Sequence, residues 1–195
     1  MKRTLIIFAK APRMGAVKTR LARDIGAAEA LGFYRRSLDR TIRLGRALTS
    51  VETVIWTAPD NAAGGRYFPS GIAVYPQGRG DLGLRMSRAL SHHMMCDRLL
   101  IGGDIPGITP EILNEAFDQL SCNDATFGPA EDGGFWLAGL RAGFQPRGLF
   151  CGVGWSEPTT LTQTLSTLPA HASIAFCQTL NDIDDLRDYQ RLLSL

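Results

Sequence analysis

The sequence predicts an α/β fold: a mostly parallel, mixed sheet that is flanked by helices. Apolar runs of strand length alternate with amphipathic segments of helix length. This alternation is typical of a sheet whose parallel strands are joined by helices that cover both faces. With 195 residues, of which 45% are hydrophobic, the chain can bury one substantial core. We therefore expect a single domain over residues 1–195.

The first half of the chain follows the alternation closely. The run TLIIFA predicts a strand at 4–9, Pro12 and Gly15 then favour a loop at 10–20, and apolar residues recur at helical spacing within 28–48. Thr109 and Pro110 suit the N-cap and first position of a helix. The other elements expected in this half are strand 52–57, strand 72–76, helix 83–95, strand 98–103, helix 110–120 and strand 124–128.

The second half departs from the alternation. The segment GGFWLAGL at 133–140 predicts a strand, and no helix precedes it, so we expect it to be antiparallel. A helix near 157–167, a strand at 172–177 and a closing helix at 183–194 complete the prediction. The sheet is therefore expected to be mixed.

Composition excludes several classes of protein. No apolar run approaches the roughly 20 residues of a membrane span, and charge and proline follow the first apolar run too soon for a signal peptide. The four cysteines form no C-x-x-C pair and are expected to be reduced. We expect a soluble, cytoplasmic protein that acts on small molecules without a membrane partner.

The opening loop carries the densest positive charge outside a helix face. FAKAPRMGAVKTRLA, at 8–22, follows the first strand and contains Lys10, Arg13, Lys18 and Arg20, with Gly15 allowing a tight turn. Backbone N–H groups, lysine point charges and arginine forks together suit the phosphates of a nucleotide. The loop lacks the glycine pattern of a Walker A motif, and a plain basic surface loop is the alternative. It is too small for a nucleic-acid-binding stripe, so no nucleic acid partner is expected.

Carboxylates stand where several strands end. Asp104 follows LLIGG, Asp132 lies between a strand and a Gly-Gly turn, and Asp182 and Asp184 precede the last helix. Because Mg²⁺ prefers one or two carboxylates together with phosphate oxygens and water, Asp104 is the leading metal candidate. Turn formation and helix capping are the alternative explanations for these residues. Glu131, Trp155 and Ser156 join Asp132 as candidates for the acceptor side, although Trp155 fits a core position equally well.

A second glycine-rich motif, GRGDLG at 78–83, matches G-x-G-x-x-G after a predicted strand. Alone, it favours a dinucleotide site and therefore an oxidoreductase. The motif follows the third strand, however, and this use would leave the basic opening loop without a role. Gly80, Asp81 and Arg85 are nucleotide-binding candidates on either interpretation, and a turn capped by Asp81 is the structural alternative.

Taken in order, six segments resemble the GT-A-type transferases. They are most similar to the glycosyltransferase-like family of radical-SAM/selenodomain-associated transferases, which is related to the molybdenum-cofactor and phospholactate guanylyltransferases. The carriers are AKAPRMGAVKTRLA, PQGRGDLGLR, IGGDIPGITPEIL, GPAEDGGFWLAGL, VGWSEPTTL and NDIDDL. This resemblance implies a GT-A fold like that of nucleotide-diphospho-sugar transferases. It also implies that Arg13 and Lys18 meet phosphates, that Asp104 holds a metal, and that Asp182 or Asp184 is the second carboxylate.

The residues and the resemblance together predict a transferase that depends on Mg²⁺ or Mn²⁺ and uses a nucleotide donor. Lys18, Asp104 and Asp132 are its expected catalytic residues. Nucleotidyl transfer from a nucleoside triphosphate to a small phosphorylated acceptor is the leading expectation, because the basic loop suits a triphosphate. Glycosyl transfer from a nucleotide-sugar, a dinucleotide-dependent oxidoreductase and a non-catalytic nucleotide-binding module are the alternatives.

Overall fold

The computed structural model describes residues 2–183 and 185–193. In this part of the chain, seven strands form one sheet in the order β3-β2-β1-β4-β6-β5-β7. Neighbouring strands are parallel, except that β6 is antiparallel to both β4 and β5. The strands are β1 (Arg3–Lys10), β2 (Val51–Ala58), β3 (Ala73–Pro76), β4 (Asp97–Gly102), β5 (Ala125–Pro129), β6 (Phe135–Leu140) and β7 (Ile174–Phe176).

Helices cover both faces of the sheet. They are α1 (Leu21–Ile25), α2 (Ala27–Ala47), α3 (Leu82–His92), α4 (Pro110–Gln119), α5 (Thr160–Ser166) and α6 (Leu186–Leu193). The alternation of β1 sends Leu5 and Ile7 into a core with residues of α2 and α4, whereas Ile6 joins the core beneath α3. Both cores are anchored on the same buried strands. The helices that follow those strands therefore fix where the strand-end loops lie.

The predicted α/β fold with a mixed, mostly parallel sheet is confirmed, as is the antiparallel strand at 135–140. The helix that begins at Pro110 is capped as predicted, because the Thr109 hydroxyl accepts a hydrogen bond from the Ile112 N–H group. The sequence missed the short helix α1. It is separated from α2 by Gly26, which has a φ of 87°.

Several predicted ends are corrected by a few residues. The helix expected at 157–167 spans Thr160–Ser166, and the helix expected at 83–95 ends at His92. The last helix begins at Leu186, rather than at 183, because the Asp185 carboxylate accepts hydrogen bonds from the N–H groups of residues 187 and 188. Within residues 2–183 and 185–193, the longest helices lack the apolar stretch that a bilayer-crossing segment requires.

Candidate functional site

The site lies where β1 and β4 run side by side. Phe8, near the end of β1, pairs with Gly102, the last residue of β4. The chain continues from β1 to β2 and β3 on one side of the sheet and places β4 on the other. Ligands of open α/β sheets bind beyond the carboxyl ends of the strands at such a switch point. The loop at 11–20, the residues after β4 and the residues after β7 meet there.

Lys18 connects two carboxylates at the centre of this site. Its Nζ lies 2.7 Å from an oxygen of Asp104 and 3.4 Å from an oxygen of Asp182. The Lys18 side chain is only 6% exposed and that of Asp104 is 16% exposed, whereas that of Asp182 is 45% exposed. Lys18 thus contacts a carboxylate that lies 164 positions away in the sequence, and Asp104 and Asp182 share its positive charge. We call these three residues the central triad.

The backbone around Lys18 aims the ammonium group inward. Lys18 has a φ of 46°, a left-handed conformation that is uncommon for a residue with a side chain. The preceding Val17 is buried, and the Lys18 carbonyl accepts a hydrogen bond from the Ala22 N–H group at the start of α1. The unpredicted helix α1 therefore helps to fix the most important cation of the loop.

Asp182 reaches the centre because the chain after β7 is tied to the end of β5. The Leu180 N–H group donates to the Pro129 carbonyl at 3.1 Å, and the Asn181 side chain accepts from the Glu131 N–H group at 2.8 Å. Ile183 is then buried against residues of α1 and α2. Asp184, the other carboxylate expected near the metal, lies outside the described residues.

Tyr34 of α2 holds the end of β1 in place. Its hydroxyl donates to the Lys10 carbonyl at 2.9 Å and accepts from the Lys10 N–H group at 3.0 Å. Burial raises the pKa of the Tyr34 hydroxyl, and the negative charge of Asp104 raises it further. Tyr34 is therefore a neutral hydrogen-bonding group beside the central triad.

Two pockets share Phe8, Asp104 and Asp182. The first, which we call the basic pocket, has a volume of about 320 Å³. Its remaining lining is Lys10, Val17, Lys18, Thr19, Arg20, Tyr34 and Gly103. Three of the cations predicted to bind a nucleotide thus converge on one cavity.

The second pocket, which we call the acidic pocket, has a volume of about 310 Å³. Its carboxylates are Asp104, Asp132 and Asp182. The rest of the wall is mostly apolar, with Leu82, Met86, Leu100, Phe135 and Trp155, and it also contains Ser156 and Thr160. The two pockets therefore differ strongly in charge although they meet at the same two carboxylates.

Asp132 reaches the acidic pocket from the tight turn between β5 and β6. Its Oδ1 accepts a hydrogen bond from the Gly134 N–H group at 2.9 Å, which fixes the carboxylate. Gly133 has a φ of 84°, and an added Cβ would overlap the Pro158 carbonyl oxygen. Glycine is thus required here for both conformation and space. The turn joins the antiparallel strands β5 and β6 and places Asp132 in the lining of the acidic pocket.

The structure does not bring every predicted residue to the pockets. Arg13 was expected to meet phosphates, but its guanidinium donates to the Tyr67 hydroxyl at 2.9 Å and to the Asn61 side chain at 3.2 Å, with its charge over the Tyr67 ring. It lines neither pocket. Gly15 has the expected positive φ, 74°, and lies exposed on the same loop.

Gly80, Asp81 and Arg85 lie after the edge strand β3 and line neither pocket. Asp81 is the N-cap of α3, because its carboxylate accepts from the Leu84 N–H group at 2.7 Å. Arg85 contacts the buried Gln77 side chain at 3.1 Å. A carboxylate thus occupies the helix N-terminus where a dinucleotide would place its pyrophosphate, and this disfavours the oxidoreductase interpretation.

Sequence reasoning missed Tyr34 and Phe8 as residues of the site. Tyr34 was assigned only to the apolar stripe of its helix, and Phe8 only to a buried strand. The Tyr34 hydroxyl was the feature of the sequence that could have indicated its place. A buried tyrosine needs a hydrogen-bond partner, and the end of a strand offers backbone groups that the sheet leaves unpaired.

Two members of the central triad, the carboxylates of Asp104 and Asp182, have donor chemistry that suits a divalent metal. Asp104 and Asp182 already converge on one cation, the Lys18 ammonium group, so their oxygens are oriented for a positive charge. Among the described residues, no three His, Cys, Asp or Glu side chains cluster. Two carboxylates leave most of the coordination sphere to water and phosphate oxygens, which is how Mg²⁺ is usually bound.

A family model described as "Uncharacterized protein conserved in bacteria (DUF2064)" matches residues 41–157, which is more than half of the chain. The chain belongs to this family. No curated protein sequence matches this DUF2064 protein.

Three solved structures illustrate what the DUF2064 protein is similar to. A "putative nucleotide-diphospho-sugar transferase" from Desulfovibrio desulfuricans G20 is 26% identical, with a TM-score of 0.87 over 98% of this chain and 86% of that one. Rv0371C of Mycobacterium tuberculosis H37Rv, in a complex with manganese, is 16% identical, with a TM-score of 0.61 over 100% and 99% of the two chains. A CMP:2-keto-3-deoxy-manno-octonic acid synthetase complexed with CTP is 10% identical, with a TM-score of 0.64 over 100% and 98%. The last two likenesses concern the fold alone.

Proposed function

We propose that the DUF2064 protein is a nucleotide-dependent transferase whose phosphate site is the basic pocket. One observation carries the proposal: a cationic pocket and an acidic, apolar pocket meet at the carboxylates of Asp104 and Asp182. This arrangement suits a charged donor and a separate acceptor that meet at one point. The similarity to a nucleotide-diphospho-sugar transferase at 26% identity supports the same class of reaction.

The residues of the basic pocket have distinct roles in this proposal. Lys10, Lys18 and Arg20 neutralise the phosphates, Lys18 from a nearly buried position and the other two from exposed ones. The Tyr34 hydroxyl keeps the backbone of Lys10 in place at the pocket wall. Catalysis of phosphoryl chemistry depends mainly on such positioning and on charge. Arg13 is left with a role in holding the loop to Tyr67.

Asp104 and Asp182 would hold Mg²⁺ or Mn²⁺. When bound, the metal would neutralise charge on the phosphates of the donor. The complex of Rv0371C with manganese supports a divalent ion in this fold. Lys18, which contacts both carboxylates, would then balance the remaining charge of this part of the site.

The proposed reaction is nucleotidyl transfer. An acceptor oxygen forms a bond to the α-phosphorus of a nucleoside triphosphate, the bond from that phosphorus to the bridging oxygen breaks, and pyrophosphate leaves. A proton on the acceptor oxygen passes to the Asp132 carboxylate, which faces the acidic pocket. Three cations beside the donor suit the charge of the leaving pyrophosphate. Glycosyl transfer from a nucleotide-sugar is the second candidate, favoured by the relative from Desulfovibrio.

A thermal-shift screen tests the proposal. The four nucleoside triphosphates, their sugar conjugates and NAD(P) are each added with and without Mg²⁺, since a ligand of the native state raises its stability. We expect a Mg²⁺-dependent shift that is lost in Lys18→Ala and Asp104→Ala but kept in Lys2→Ala, a lysine at the opposite end of β1. A shift with NAD(P) alone, independent of metal, would overturn the proposal and favour the oxidoreductase.

A further inference from the structure

The charge of the acidic pocket identifies a class of acceptor. Its lining contains the carboxylates of Asp104, Asp132 and Asp182 and, among the described residues, no lysine or arginine. Asp104 and Asp182 also line the basic pocket and contact Lys18, so Asp132 is the carboxylate that lines the acidic pocket alone. A phosphate group is therefore attracted by Lys10, Lys18 and Arg20 in the basic pocket and repelled by Asp132 in the acidic one, because like charges at short range disfavour each other.

Part of the wall of the acidic pocket is aromatic. The ring centroids of Phe135 and Trp155 lie 6.3 Å apart with an angle of 67° between the ring planes, and both rings pack on Phe150, each at 6.0 Å. Phe135 and Trp155 are only partly buried, so each presents ring surface to the cavity. Exposed aromatic surface in a concave site is typical of the binding of an apolar group.

Trp155 is held rigidly at this wall. The hydroxyl of the buried Thr160 lies 2.7 Å from the Gly154 carbonyl and accepts a hydrogen bond from the Glu157 N–H group at 3.2 Å, so it bridges the residues on both sides of Trp155. A wall that is already ordered loses little conformational entropy when a ligand binds.

We propose that the acidic pocket binds the acceptor, and that this acceptor has no phosphate or carboxylate, packs an apolar body against Phe135 and Trp155, and presents a hydroxyl group. The inference rests on the proposed function and replaces the phosphorylated acceptor that the sequence suggested. The acceptor hydroxyl oxygen bonds to the α-phosphorus of the donor, pyrophosphate leaves, and the hydroxyl proton passes to Asp132. The Asp132 carboxylate selects against anionic competitors for the same pocket.

Three probes of equal body and different charge test the inference: 2-phenylethanol, 2-phenylethylamine and 2-phenylethyl phosphate. Binding to the full chain is measured by saturation-transfer NMR and by titration, with the basic pocket blocked by inorganic pyrophosphate. We expect the alcohol and the amine to bind and the phosphate to bind at least about tenfold more weakly, since the Asp132 carboxylate opposes it. Equal or tighter binding of the phosphate, or no binding of the alcohol, would overturn the inference.

Variants locate the effect. Trp155→Ala should abolish binding of the alcohol and Trp155→Phe should retain it. Asp132→Asn should narrow the discrimination against the phosphate probe, whereas Glu52→Gln, at the far end of β2, should leave it unchanged. Discrimination that is equal in wild type and Asp132→Asn would contradict the role of the pocket charge.

The outcome is separable from that of the proposed function. If the protein binds a nucleotide with Mg²⁺ but prefers the phosphate probe, only this inference is overturned. If it prefers the alcohol and the amine to the phosphate probe but binds no nucleotide, only the proposed transferase function is overturned.

Discussion

Replacing Lys18 by methionine removes the positive charge that Asp104 and Asp182 share and keeps a side chain of similar length. Asp104 is only 16% exposed and would lose its partner at 2.7 Å. Breaking a buried ion pair from one side costs about 3–5 kcal/mol. Asp182 is 45% exposed and solvent screens its charge, so the loss of its contact with Lys18 adds little to this cost. We therefore expect Lys18→Met to lower the free energy of unfolding by about 3 kcal/mol, or the Tm by roughly 6–12 °C for a chain of this size.

The same variant tests whether the carboxylates can hold a divalent ion. Without the ammonium group, the Asp104 carboxylate loses the cation that lies 2.7 Å from it, so Mn²⁺ should stabilise Lys18→Met more than wild type. Thermal and urea unfolding with and without Mn²⁺ measure both effects, and Lys2→Met is the matched control. Unchanged stability of Lys18→Met, or a larger Mn²⁺ effect in wild type, would refute the reasoning.

Three further predictions concern the scaffold. Arg98→Met should destabilise the chain by about 3–5 kcal/mol in urea unfolding, because the buried guanidinium donates to the carbonyl groups of Leu90, Arg141 and Phe144. Arg98→Lys should be more stable than Arg98→Met but less stable than wild type, and wild-type stability of Arg98→Lys would contradict the need for the forked guanidinium. Gly133→Ala should lower the free energy of unfolding several-fold more than Gly143→Ala, because Gly143 has a similar positive φ but open space around it. Equal losses, each about 1 kcal/mol, would show that the contact with Pro158, in the loop before α5, adds nothing to the cost of the positive φ. Burial lowers the pKa of His93, and the neighbouring His92 lowers it further. The free energy of unfolding should therefore fall as the pH drops below about 6.5, because the unfolded state takes up the proton first. His93→Gln should reduce this dependence of stability on pH, and an unchanged dependence would exclude His93 as its source.

Much of the site could be predicted because its parts stand at strand ends. The carboxyl ends of parallel strands meet at one edge of a sheet, so Lys10 at the end of β1 and Asp104 after β4 had to lie close together. Lys18 followed from its place in a loop that starts at the same edge. The segment after β7 was harder, because only its ties to the end of β5 bring Asp182 to Lys18.

The remaining features depend on contacts that sequence spacing does not encode. Arg13 turns away because Tyr67 and Asn61, in a segment that the sequence could identify only as a loop, offer it a ring and two oxygens. The contrast between the two pockets likewise arises from distant segments, since Phe135 and Trp155 meet only after the loop before α5 folds back on the sheet. The charged residues at the strand ends could therefore be predicted from the sequence, whereas the direction of each long side chain could not.

The central claim is that nucleotide phosphates and a divalent ion bind together at Asp104, Lys18 and Asp182. Electron paramagnetic resonance of Mn²⁺, titrated with the chain in the presence and absence of each nucleoside triphosphate, tests it most directly. The account predicts one nucleotide-dependent Mn²⁺ site per chain, with the bound signal lost in Asp104→Asn. Nucleotide binding without any change in bound Mn²⁺, or a Mn²⁺ signal that persists in Asp104→Asn, would contradict it.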